Sequence, residues 1–120
     1  MPNVALRILV IEDNAALGRF IAAALVNAGW VVLGPITGHD LAMDAARHLM
    51  FDLALMDRML RGADALAIAD ALSARGIPCL VMSGYPRSTL PERFRDFAFL
   101  EKPFTMDALL GAVRAAAGGR

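Results

Sequence analysis

Five short apolar runs alternate with helix-patterned segments from one end of this chain to the other, and that alternation leaves few architectures open. Residues 6–11, Leu-Arg-Ile-Leu-Val-Ile, are short and β-branched and read as a buried strand. Asn14 then predicts an N-cap, with Leu17, Phe20, Ile21, Ala24, Leu25 and Ala28 at helical spacing behind it and Gly29 as the stop. Four more strand patterns fall at 30–36, 53–56, 79–82 and 97–100. Helical patterns fill 39–50 and 64–75, the latter closed by Gly76, and a last helix runs to about 117 behind a Thr105 cap. Between the fourth and fifth strands, residues 84–96 carry Pro86 and Pro91 and leave room for one or two helical turns. Strands that alternate with helices imply right-handed crossovers, hence a parallel sheet covered on both faces.

A chain of 120 residues is expected to form one domain spanning 1–120. Surface scaling takes it from about 18,600 Å² unfolded to about 6,300 Å² folded, enough burial for a core without disulfides. Cys79 is the single cysteine, so no internal disulfide or multi-cysteine zinc site can form, as suits a reducing compartment. Twelve basic residues against twelve acidic ones leave no excess positive charge for nucleic acid or anionic lipid. Residues 20–39 carry no formal charge, but Asn27-Ala28-Gly29 and Gly34-Pro35 interrupt them well short of a membrane span. Met1-Pro2-Asn3 has no basic leader. The expectation is a cytoplasmic protein without a membrane or nucleic-acid partner.

Open α/β sheets bind ligands beyond the carboxyl ends of their strands. At those ends stand Glu12 and Asp13, then Asp57, then Ser83, then Lys102. No Gly-x-Gly-x-x-Gly follows the first strand, and two acids there repel a phosphate, which excludes a dinucleotide site. Grouped carboxylates suit a hard divalent cation, Mg²⁺ being the usual one. Two carboxylates about 4 Å apart repel by roughly 4 kcal/mol at an effective dielectric near 20, so such a cluster needs positive charge. Lys102 is the only lysine against eleven arginines, which marks a place where a compact ammonium is required. A carboxylate beside a divalent cation can attack a phosphoryl donor, and Asp57 is the candidate nucleophile. Lys102 and the Ser83 hydroxyl would then neutralise the phosphoryl oxygens. A haloacid-dehalogenase-type phosphatase wants a second Asp two residues on, where this chain has Met59, and a Toprim-type nuclease lacks its Asp-x-Asp for the same reason.

With these residues in order, the chain resembles the receiver domain of two-component response regulators over essentially its whole length. The matching stretches are Ile11-Glu12-Asp13-Asn14, Asp57 within Leu55-Met56-Asp57-Arg58-Met59-Leu60, Met82-Ser83-Gly84-Tyr85 and Leu100-Glu101-Lys102-Pro103-Phe104. The resemblance implies a flavodoxin-like (βα)5 three-layer sandwich with sheet order 2-1-3-4-5. It implies that Asp57 takes a phosphoryl group from a histidine kinase or phosphotransfer protein. It further implies Mg²⁺, replaceable by Mn²⁺, held by Asp13, Asp57 and the Met59 carbonyl, with Glu12 acting through water. Ser83 and the aromatic Phe99 would move together as a switch, and the Lys102-Pro103 bond would be cis. Arg61 stands where the family usually has Pro, and Gly84 where it usually has Ala. Ser-Gly-Tyr-Pro followed by Leu-Pro-Glu-Arg-Phe looks like receivers with a short, remodelled fourth helix.

Arg58 and Met59 flank Asp57 and are expected to affect the lifetime of its phosphoryl group. Tyr85 either gates the site or covers the core. His39 and His48 are expected on the surface away from the site, and the Phe94/Phe97 pair is expected to pack under a short helix, with a partner face as the alternative. Nothing follows Arg120 that could act as an effector, so the expected output is contact with an unknown partner protein or phosphate shuttling, with homodimerisation left open. The alternatives are a receiver cut from a hybrid kinase or larger regulator, a metal-dependent phosphatase, and an adaptor indifferent to Mg²⁺. Self-limited phosphorylation, not turnover, separates the receiver from the phosphatase.

Overall fold

The computed structural model describes residues 5–118; Met1-Pro2-Asn3 and Arg120 lie outside them. Five parallel strands, β1 (Arg7–Ile11), β2 (Val31–Ile36), β3 (Leu53–Asp57), β4 (Cys79–Ser83) and β5 (Ala98–Glu101), pair in the order β2-β1-β3-β4-β5. Among the described residues the α-helices are α1 (Ala15–Asn27), α2 (His39–His48), α3 (Leu66–Ala74) and α4 (Met106–Ala116). This is the flavodoxin-like sheet order that the resemblance implied.

Strand side chains alternate between faces, and the two cores follow that alternation. Ile8, Val10, Leu53, Leu55, Leu80 and Met82 pack with Ile21, Ala24 and Leu25 of α1 and with Leu109 and Val113 of α4. Leu9, Ile11, Ala54, Met56, Cys79 and Val81 pack on the opposite side with Ala42, Ala45 and Ala46 of α2 and with α3. The accessible surface is 6432 Å², close to the scaling expectation. None of the helices among the described residues is long and apolar enough to cross a membrane. The Asn14 side chain accepts the Leu17 N–H, and Thr105 accepts the Ala108 N–H, so both expected caps are present.

Gly34 positions the first acidic loop. It sits at φ +103°, where a Cβ would lie 2.6 Å from the Val10 carbonyl oxygen, so only glycine fits. The β1–β2 register shifts there, bringing Ile36 beside Ile11, and the Ile36 carbonyl accepts the Glu12 N–H at 3.0 Å. The Gly34-Pro35 and Lys102-Pro103 bonds are both cis.

The structure moves several expected boundaries. β3 and β4 each run one residue further, so Asp57 and Ser83 are the last residues of their strands. β5 begins at Ala98, one residue late. α2 ends at His48, not 50, because Leu49 turns extended and the Arg75 guanidinium donates to the Ala46 and Leu49 carbonyls at 2.6 and 2.8 Å. α3 begins at Leu66, because Met59–Leu60 and Ala63–Asp64 form a small antiparallel ribbon instead. Its turn places Arg61 at φ +53° and Gly62 at φ +79°, the paired left-handed conformation of a type I′ hairpin. Between β4 and β5 there are two 3-10 turns, Arg87–Thr89 and Glu92–Phe94, each entered from a proline. The Arg87 guanidinium holds this segment by donating to the Arg95 and Phe97 carbonyls, and Phe94 meets Phe97 edge-on at 5.2 Å.

The two-core arrangement yields a stability prediction. Leu25→Ala, at a fully buried position of α1, is expected to cost about 2–5 kcal/mol in urea unfolding, whereas Leu41→Ala, on the exposed face of α2, stays within about 0.5 kcal/mol. Equal losses would contradict the assignment of α1 as a core helix.

Candidate functional site

The ends of β1, β3 and β5 deliver four charged side chains to one rim of the sheet. Glu12 follows β1 directly and its side chain is fully buried; Asp57 ends β3 with its side chain 11% exposed. Lys102 follows β5, and its Nζ donates to Glu12 Oε1 at 2.8 Å and to Asp57 Oδ2 at 2.9 Å. One ammonium thus bridges two carboxylates that would otherwise repel, and charge-assisted bonds of this length are the strong ones. The backbone completes the carboxylates' partners. Glu12 Oε2 accepts the Asn14 N–H at 3.0 Å, Asp57 Oδ1 accepts the Met59 N–H at 3.2 Å, and Asp13 Oδ2 accepts the Arg61 N–H at 2.7 Å.

These surroundings shift Glu12, Asp13 and Lys102. Burial pushes Glu12 above the usual carboxylate range, against the pull of the Lys102 and Asn14 hydrogen bonds. Asp13 is held below its ordinary value, chiefly by the Arg61 N–H. For Lys102 burial is the largest single influence and acts downward, yet the bonds and charges of Glu12 and Asp57 together outweigh it and raise its pKa. Glu12, Asp13 and Asp57 each offer a carboxylate oxygen, and these three atoms lie within 4.8 Å of one another. Three negative charges face one ammonium. Hard oxygen donors at this spacing with unbalanced negative charge fit a magnesium-sized cation.

The other expected residues take varied places. Ser83 is buried beside the cluster, its Oγ accepting the Tyr85 N–H at 3.0 Å and its carbonyl accepting the Lys102 N–H at 2.7 Å. Gly84 is open, and Tyr85 is 63% exposed, so it does not cover the core. Phe99 is partly buried on β5, with the Arg87 guanidinium 5.1 Å from its ring centre. Arg58 points from the end of β3 to the 3-10 segment, donating to Thr89 Oγ1 at 2.8 Å and to the Thr89 carbonyl at 3.1 Å. Cys79 is buried and its thiol is pushed up to about 12, an inert core residue. His48 is exposed as expected, but His39 is half-buried and its Nε2 donates to the Leu60 carbonyl at 2.8 Å, beside the Asp57 loop. Sequence reasoning placed His39 away from the site and passed over Thr37, Thr89 and the Arg61 backbone; of these only position 61 was marked, by its departure from Pro.

Removing the bridging ammonium gives a pH-dependent prediction. Glu12, raised in the fold, contributes most favourably when protonated, and its ionisation at higher pH is tolerated because Lys102 faces it. Lys102→Met is therefore expected to cost about 3 kcal/mol at pH 7, by leaving buried carboxylates unpaired. The loss should shrink as pH falls and the raised Glu12 protonates. Urea unfolding at pH 7 and pH 4 checks this; a loss that grows on acidification contradicts it.

No protein-family model matches this chain. The chain is 30% identical to SdrG from Sphingomonas melonis Fr1, with a TM-score of 0.82 over 97% of this chain and 98% of that one. It shares its fold with the receiver domain of sensor histidine kinase PA1611 from Pseudomonas aeruginosa PAO1, a structure with magnesium coordinated in its active-site cleft. That match has 22% identity and a TM-score of 0.76 over 96% of this chain and 99% of that one. The transcriptional regulatory protein PdtaR of Mycobacterium tuberculosis is 29% identical over 114 residues, which are 92% of this chain and 56% of PdtaR. The chain spans about half the length of the curated relatives it matches. Strand order, the acid-and-lysine rim and these likenesses together make the chain a member of the response regulator receiver-domain family.

Proposed function

We propose that Asp57 is the phosphoacceptor of a two-component phosphorelay, and that the chain acts as one receiver domain in the cytoplasm. The observation that carries this reading is the Lys102 ammonium set 2.9 Å from Asp57 Oδ2 and 2.8 Å from Glu12 Oε1. The donor is a histidine kinase or a phosphotransfer protein. An Asp57 carboxylate oxygen attacks the phosphorus; the new P–O bond forms as the P–N bond to the donor imidazole breaks, and the imidazole nitrogen leaves with that electron pair. Lys102 stays beside the growing charge on the phosphoryl oxygens, where a fixed cation lowers the barrier most. Ser83 Oγ, bonded among the described residues to the Tyr85 N–H alone, is the hydroxyl at hand to donate to a phosphoryl oxygen. Asp13 and Asp57, with the Met59 carbonyl and Glu12 through water, would hold magnesium, which when bound neutralises phosphoryl charge. Mn²⁺ is expected to replace it, both being hard oxygen-seeking cations.

The output of such a domain is a change of surface. Ser83 and Phe99 are the residues through which occupancy of Asp57 reaches that surface, and Phe99 already carries Arg87 of the remodelled segment against its ring. The partner that reads the surface is a protein. Self-limited labelling, not turnover, follows from an acceptor that is itself the product.

Incubation with acetyl phosphate and magnesium should add one phosphoryl increment per chain by intact mass. Asp57→Asn and chelation by EDTA should each abolish it, and Lys102→Ala should slow it by about 100-fold. Persistent labelling of Asp57→Asn at another carboxylate, or multiple turnover of phosphoesters, would overturn the assignment.

A further inference from the structure

The loop that leaves Asp57 is stitched to the ends of two neighbouring strands, and one residue makes most of the stitches. Arg61 is the only non-glycine residue with positive φ among the described residues. Such a conformation persists in an arginine only where its surroundings over-determine it. Its Nε donates to the Thr37 carbonyl at 2.9 Å and its second terminal nitrogen to Thr37 Oγ1 at 3.2 Å, just past β2. The guanidinium lies against Gly38, where a Cβ would be 3.7 Å from Nε. Its backbone N–H reaches the other way, to Asp13 Oδ2 at 2.7 Å, just past β1. The His39 bond to the Leu60 carbonyl ties the same ribbon a second time.

Asp13 differs from its two companions. Glu12 and Asp57 are buried and locked by Lys102, whereas Asp13 is partly exposed and has no bond to that ammonium among the hydrogen bonds of the described residues. A half-exposed aspartate has several rotamers, and a ligand that must first be ordered binds a cation more weakly. We propose that Arg61 is a positioning residue for the divalent cation. Its guanidinium clamps the ribbon to Thr37, and the clamped backbone N–H fixes Asp13 by one carboxylate oxygen, leaving the other to the ion. The proposal rests on the magnesium reading above. It also assigns a use to a side chain that stands where the family usually has a proline, which has no N–H to offer Asp13 and no side chain that could reach Thr37.

The test is Mg²⁺ affinity of the purified chain by isothermal titration calorimetry, alongside thermal unfolding without metal. Arg61→Ala keeps the N–H but loses the clamp, and should weaken Mg²⁺ binding by about tenfold, the loss typical of removing a group that orients a metal ligand. Arg61→Lys, which can still reach one Thr37 oxygen, should recover part of it. Labelling by acetyl phosphate should return to the wild-type rate at saturating Mg²⁺, since only the affinity is changed. Leu25→Ala, destabilised in the core at the far end of α1, should unfold earlier yet bind Mg²⁺ as wild type does. Wild-type affinity in Arg61→Ala, or equal weakening in Leu25→Ala, would overturn the clamp while leaving the magnesium reading intact. A wild-type chain that takes up no Mg²⁺ would remove both together.

Discussion

One ammonium between two carboxylates is the interaction on which the site depends. Glu12 is wholly buried, and a lone buried carboxylate would be expensive to ionise. Asp57 beside it would add repulsion at low dielectric. Lys102 answers both at once, and it can do so because three parallel strands end at the same rim. The sheet order is what makes this possible: β3 lies between β1 and β4, and β5 follows β4, so residues 45 and 90 positions apart in sequence meet within hydrogen-bond distance. The remaining negative charge of Glu12, Asp13 and Asp57 is what suits this rim to a hard cation.

Much of this was legible in the chain because it follows local rules. Strand-length apolar runs, the Asn14 and Thr105 caps and the glycine stops act within a few residues, so they can be read without tertiary knowledge. Glu12, Asp13, Asp57, Ser83 and Lys102 were legible for a different reason: chemistry-bearing residues just past buried strands have only one place to go in a parallel sheet. Even there, strand ends ran further than expected, and Asp57 and Ser83 proved to be strand residues.

What escaped was set by partners distant in sequence. The end of α2 is decided by Arg75, from another helix end, taking two of its carbonyls. The ribbon after Asp57 uses Arg-Gly in a turn whose usual signal is Asn-Gly or Asp-Gly, so local chemistry concealed it. His39, expected away from the site, is drawn to it by that same ribbon. Tyr85 had two open readings, and its exposure removes the one in which it covers the core.

Because Lys102 is the only lysine in the chain, selective ¹⁵Nζ-lysine labelling would report the bridging ammonium as a single side-chain resonance. An ammonium pinned between Glu12 and Asp57 should exchange its protons slowly with water and shift when Mg²⁺ and beryllofluoride occupy the site. A resonance that exchanges like that of free lysine, and stays in place on both additions, would contradict the account.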